Sequence, residues 1–283
     1  MAVGSHTVRI WTLQPRLFHL GEDAVTHGYS LEMDTGHMGI VGLEFLDDHT
    51  LLCAHADGVL QVWTLSTPDQ PSETFDASQS FLEQNVPTMG RLEVYGRDRR
   101  IERASTTMRA RLTWELHLDI RLDACDIIFV KDRLRVLLGG TRGEIYWVEI
   151  LQNMPPIAVH IGQLSTGITL AKLSPTGDRG ATASRDRKIA IWRPLEELPI
   201  DDSTGAWRVF NETGGEVWAL AFSNSGRYLA GGGIDNGVYL WDLLAKNSLR
   251  AVSYDHEGWI SDLAWSQEDR VLACASWDNT VGI

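Results

Sequence analysis

Cysteine is scarce. Cys53, Cys125 and Cys274 are spread over 283 residues, and no two form a C-x-x-C pair. That excludes a zinc ribbon or a thioredoxin-like redox pair and leaves small hydrophobes within strands. An odd, sparse count fits a reducing compartment, so a cytoplasmic location is expected. Long apolar runs are missing too. No stretch approaches the ~18 residues that argue for a membrane helix, and "MAVGSHTVRIW" has no apolar core of a secretory signal. Without that signal, Asn211-Glu212-Thr213 reads as a chance glycosylation sequon. Positive charge is in deficit: 25 Lys and Arg against 38 Asp and Glu leave a net charge of −13. A basic footprint for nucleic acid is therefore lacking, as is attraction to an anionic membrane. Neither is an expected partner.

Signatures of catalysis are also lacking. "GQLSTG" at 162–167 has the wrong spacing for a nucleophile elbow. No G-x-G-x-x-G follows a strand, and there is no phosphate-loop GK[ST] and no H-E-x-x-H. "GGGIDNG" at 231–237 is glycine-rich, but no helix follows to hold a phosphate. The nine histidines show no ligand spacing. No metal, cofactor or small-molecule ligand is expected. One basic stretch, arginines 91, 97, 99, 100, 103, 109 and 111, interrupts the acidic chain. It reads as a solvated face of exposed strands, with an acidic or phosphorylated peptide as the alternative.

What the chain does contain is a repeat, which is best sought before other features. In "ADGVLQVW", "SRDRKIAIW" and "IDNGVYLW" an Asp stands six positions before a Trp: Asp57 and Trp63, Asp186 and Trp192, Asp235 and Trp241. "SWDNTVGI" carries Asp278 near the end. Weaker copies place Arg142, Asp98 and Ser5 at the same turn. The turns at 5, 57, 98, 142, 186, 235 and 278 are spaced by 52, 41, 44, 44, 49 and 43 residues. Around them recur β-rich runs of period two, "GIVGLEFL", "GITLAKLS", "EVWALAFS" and "WISDLAWS". Each leads through a polar turn to a second run: "TLLCAHA", "RGATAS", "YLAGGG" or "VLACAS". Long helical periodicity occurs nowhere. A lone four-stranded unit cannot bury both faces, whereas radial stacking covers them against neighbours.

These residues resemble the WD-repeat β-propeller family over 36–65 and 166–283, and more faintly over 66–150. The motif positions are Gly36-His37, Asp57 and Trp63; Asp186 with Trp192-Arg193; Asp235 with Trp241-Asp242; and Asp255-His256 with Asp278. The resemblance implies a tetrad of His, Ser or Thr, Asp and Trp in each blade. His37, Asp57 and Trp63 match three members, and His256, Ser276 and Asp278 match three in the last unit. The expected fold is all-β, a propeller of four-stranded antiparallel blades in about seven units, the first and last partial. Residues 1–283 are expected to form one such domain, cut at both ends and so an open arc, with 66–123 a degenerate blade around Asp98. A long insertion at 66–123 is the alternative.

The Asp residues at 57, 98, 186, 235 and 278 recur once per unit. That marks folding, because a catalytic pair would be unique and convergent. The expected function is a non-catalytic scaffold for protein or peptide partners. The resemblance implies docking where residues beside the blade turns converge, and Arg185, Ile234, Trp277 and Trp259 are the candidates. Aromatic and Arg anchors suit such hot spots. Two alternatives are a sensor propeller within a larger multidomain effector and a propeller-based hydrolase or lyase. The apolar first strands weigh against the second.

Overall fold

The computed structural model describes residues 7–11, 30–37, 39–66, 91–94, 109–130, 133–151, 156–193, 205–245 and 248–283. Among them every regular element is a β-strand, and no helix is long and apolar enough to cross a membrane. The strands fall into six antiparallel sheets, and the chain divides into two compact units.

In the first unit, β1 (Thr7–Trp11) pairs with β2 (Ser30–Asp34). A second sheet holds β3 (Ile40–Asp47), β4 (Thr50–His55), β5 (Val59–Ser66), β6 (Arg91–Val94) and β7 (Arg109–His117), in the order β3-β4-β5-β7-β6. The degenerate-blade expectation for 66–123 therefore meets a different arrangement. The described strands of that stretch form no sheet of their own. β7 covers the open edge of β5 as the fourth strand of its sheet, and β6 adds a fifth. The reason is edge satisfaction: β5 would otherwise present a full row of unpaired backbone groups. Asp98 and Ser5 lie outside the described residues.

The second unit holds four sheets. β8 (Leu122–Val130), β9 (Arg133–Gly140), β10 (Glu144–Leu151) and β11 (Ile157–Gln163) form the first. β12 (Ile168–Leu173), β13 (Gly180–Ser184), β14 (Ile189–Trp192) and β15 (Arg208–Phe210) form the next. β16 (Val217–Phe222), β17 (Tyr228–Gly233), β18 (Val238–Asp242) and β19 (Leu249–Ser253) follow. The last sheet has three strands, β20 (Ile260–Trp265), β21 (Leu272–Ser276) and β22 (Val281–Gly282). The first strands of consecutive sheets pack together: β8 on β12, β12 on β16, β16 on β20. These sheets are the blades, and their first strands are the inner ones.

Blade stacking buries the apolar alternation. Leu137, Ile145 and Trp147 of one blade meet Ile168, Ala171 and Trp192 of the next. Ile189 and Ile191 meet Val217, Leu220 and Trp241 in the same way. Each large side chain so buried contributes roughly 1.5–3 kcal/mol. The second strand of a blade lies close on the next inner strand, which demands glycine. A Cβ on Gly139 would stand 2.4 Å from Ile168, and one on Gly232 2.7 Å from Ile260.

The repeated turn has one backbone form. Amide N–H groups of Gly58, Gly143, Arg187, Asn236 and Asn279 donate to carbonyls three residues back, at 3.0–3.3 Å. All five residues have φ between 62° and 94°. This is a turn closed by a left-handed residue, the geometry of a hairpin with a bulge. It explains why Gly or Asn usually follows the turn Asp.

Candidate functional site

Two recurrent backbone devices present side chains at the entry of the inner strands. First, the residue before each turn Asp, or before Arg142, donates its N–H to a carbonyl just ahead of the inner strand. The pairs are Ala56 to Gly39, Thr141 to Arg121, Arg185 to Gly167, Ile234 to Glu216 and Trp277 to Trp259, at 2.8–3.0 Å. Second, the register of every inner strand slips at its second residue. The skipped residues are Val41, Asp123, Thr169, Trp218 and Ser261. Bulges of this kind re-aim a side chain out of the regular pleat. The Thr169 and Ser261 hydroxyls donate across the sheet to the carbonyls of Ala183 and Ala275, at 3.3 and 3.2 Å. Trp218 occupies the same register position with an indole.

The predicted residues Trp259 and Trp277 are brought together, with ring centroids 5.7 Å apart. Trp218 joins them, edge to face with Trp259 at 5.0 Å and with Trp277 at 6.4 Å. The three indoles are 36%, 42% and 64% exposed for Trp218, Trp259 and Trp277. Trp218 and Trp277 border an open cleft of about 470 Å³ lined also by Thr169, Leu170, Glu216, Val217 and Ser261. Reading the sequence missed Trp218, because it sits inside an ordinary alternating strand. Its place, second in the inner strand, is where the bulge recurs, and that bulge has no residue signature of its own. Arg185 is exposed but bound to Asp123, the bulge residue of the preceding blade, at 3.0 Å. Ile234 is 37% exposed and stands against Gly215, outside the aromatic group.

The turn carboxylates are satisfied blade by blade, each differently. Asp57 accepts from His37 Nδ1 at 2.9 Å, and His37 Nε2 reaches Glu115 Oε1 at 3.1 Å. The Trp63 indole donates to Gln61, which in turn donates to Glu115. Burial pushes the neighbouring His55 imidazole down to about 4. Asp186 accepts the hydroxyls of Ser184 and Ser165 and pairs with Lys188. Burial raises its carboxyl, but these donors outweigh that and hold it well below the usual carboxylate range. Asp235 accepts from the Tyr239 hydroxyl at 2.6 Å and the Gly214 amide at 2.7 Å. Burial, then the Asp235 bond, raises the Tyr239 phenol. Asp278 accepts from Thr280, His256 and the Glu257 amide, and the Thr280 bond leads in lowering its carboxyl. Ser276 donates instead to the Gly258 carbonyl, and the other nitrogen of His256 faces the Cys274 thiol at 2.9 Å.

The tryptophans differ as well. The Trp192 indole donates to Thr182 Oγ1 at 2.8 Å. Gly231 holds the position equivalent to Thr182 and lies against the Trp241 ring, and the buried Trp241 indole N–H has no partner among the described residues. Of the basic stretch, Arg91, Arg109 and Arg111 fall in β6 and β7, and the rest lie outside the described residues. No group of three or more His, Cys, Asp or Glu among the described residues is placed to hold a metal ion.

A chain of four-stranded blades joined by Asp turns is a WD-repeat architecture. The family model described as "WD domain, G-beta repeat" matches residues 207–242 and 247–283. Protein HIR1 of Mycosarcoma maydis is 29% identical over 141 residues, 42% of this chain and 14% of its own length. The FAS2 homolog of chromatin assembly factor 1 from Oryza sativa subsp. japonica is 26% identical over 161 residues, 53% of this chain and 30% of its own. Among solved structures, Sqt1 from Chaetomium thermophilum superposes with a TM-score of 0.59 and 16% identity, over 90% of this chain and 61% of its own. The same protein, solved with the N-terminus of ribosomal protein L10, matches with a TM-score of 0.59 at 16% identity, over 90% and 63%. The chain carries WD repeats at 207–242 and 247–283, and its fold is that of a WD-repeat propeller. It spans only 14% and 30% of the two sequence relatives.

Proposed function

We propose that the chain is a non-catalytic interaction module that docks a protein or peptide at the entry of its inner strands. The observation that carries this is the cluster of Trp218, Trp259 and Trp277, held exposed by backbone devices that recur in every blade. Rigid aromatic anchors of this kind dominate binding energy at interfaces. The turn carboxylates are bound to hydroxyls, amides and histidines, which suits folding rather than proton transfer. The likeness to Sqt1, solved with the N-terminus of a ribosomal protein, and to a relative named for chromatin assembly supports a protein partner. Because the relatives are several times longer than the matched part, service as the docking portion of a larger assembly is the second reading.

The test is site-directed photocrosslinking. A benzophenone amino acid replaces Trp277 in the full chain, and extract of the source cells is irradiated with it. Discrete protein adducts that disappear with Trp218→Ala are expected. Adducts obtained equally with the photoprobe at exposed Leu244 and unaffected by Trp218→Ala would overturn the assignment.

A further inference from the structure

We infer that the cleft beside Trp218 and Trp277 takes a basic side chain, an arginine or lysine presented by a peptide partner. This deepens the interaction reading and rests on it. Glu216 is the single charged residue of the cleft lining. Its carboxylate takes part in no ion pair among the described residues, while its backbone carbonyl is committed to the Ile234 amide. The neighbouring carboxylates behave otherwise: Asp186, Asp235 and Asp278 are saturated by their own blades, and Asp123 is bound to Arg185. Glu216 is thus a half-buried carboxylate of the cleft lining with no counter-charge among the described residues.

Indole faces carry negative potential and attract guanidinium or ammonium groups within about 6 Å, more strongly for Trp than for any other ring. Trp277, 64% exposed, keeps ring surface free. The aliphatic stem of an arginine or lysine would cover Trp218 and Leu170, with its head on Glu216. A purely apolar occupant would bury the Glu216 carboxylate unpaired, which is costly, and an acidic one would meet it as a like charge. The net charge of −13 favours the same partner sign at long range.

The experiment pans a random heptapeptide library, displayed on phage, against the full chain. The enriched sequences are made as synthetic peptides, and binding is read from tryptophan fluorescence. Enriched peptides should share an arginine or lysine. Replacing that arginine by citrulline, or Glu216→Gln in the chain, should each weaken binding about tenfold, and Trp277→Ala similarly. Glu216→Gln is isosteric at a partly exposed site, so a folding defect does not confuse the result. Apolar or acidic peptides that bind regardless of Glu216→Gln would overturn the cation assignment and leave the interaction reading standing. Peptides insensitive to Trp277→Ala and Trp218→Ala would overturn the cleft as the site. A library with no enrichment would count against both readings.

Discussion

At the scale of single residues, the blades solve one problem with different atoms. Trp192 has a hydroxyl partner in Thr182, and Trp241 faces Gly231 and has none. Trp192→Phe leaves the Thr182 hydroxyl buried without a partner, and Trp241→Phe removes an N–H that was already unpaired. Both shorten a packed ring, so the difference isolates the polar part. Trp192→Phe is expected to cost about 1 kcal/mol more in urea denaturation; equal costs would contradict the pairing. Asp242 offers a pH test. It is buried and accepts from Arg227, Arg250 and the Leu244 amide. The Arg227 bond leads in lowering its carboxyl from 3.8 to about 2. A depressed carboxyl contributes stability that is fully present above pH 4 and disappears as pH falls to about 2. Asp242→Asn should therefore lower the urea midpoint at neutral pH, with the gap to the parent chain closing between pH 4 and 2. These residue choices were only partly legible. His37 with Asp57 and His256 with Asp278 followed the pattern of the sequence. Cys274 on His256, and Gln61 under Trp63, did not, because they depend on which face of a strand points inward.

At the scale of elements, strand order and turns could be read because they need special residues at fixed intervals. A left-handed position after each turn Asp selects Gly or Asn, and Arg187 with φ of 67° is the exception. The bulges could not be read, since Val, Asp, Thr, Trp and Ser all occupy them. Contact between blades was legible only as smallness. "GGG" in β17 marks a crowded site, and its partner Ile260 emerged from the fold. Gly232→Val should cost about 1–3 kcal/mol through overpacking. Ile260→Ala in the same chain should restore part of that loss, as a favourable coupling in a double-mutant cycle. Strict additivity would show that the two strands are not in contact there.

At the scale of the molecule, a period of 41–52 residues was enough to read an all-β chain of blades. It was not enough to allot 66–123, where length suggested another unit and edge pairing drew β6 and β7 onto the β3–β5 sheet. Net charge acts at this scale. Association with an arginine-bearing peptide is expected to slow several-fold between about 50 and 300 mM salt, as screening shortens the reach of the acidic field. Stopped-flow tryptophan fluorescence would check it, and a rate indifferent to salt would contradict long-range attraction.

The slipped second residue of each inner strand has a further consequence. The ladder hydrogen bonds skip that residue, so its identity is uncoupled from the pairing that builds the blade. Five such positions already carry an aliphatic, an acid, two alcohols and an indole on one backbone form. A substitution at such a position changes the exposed side chain without removing a backbone bond of the ladder.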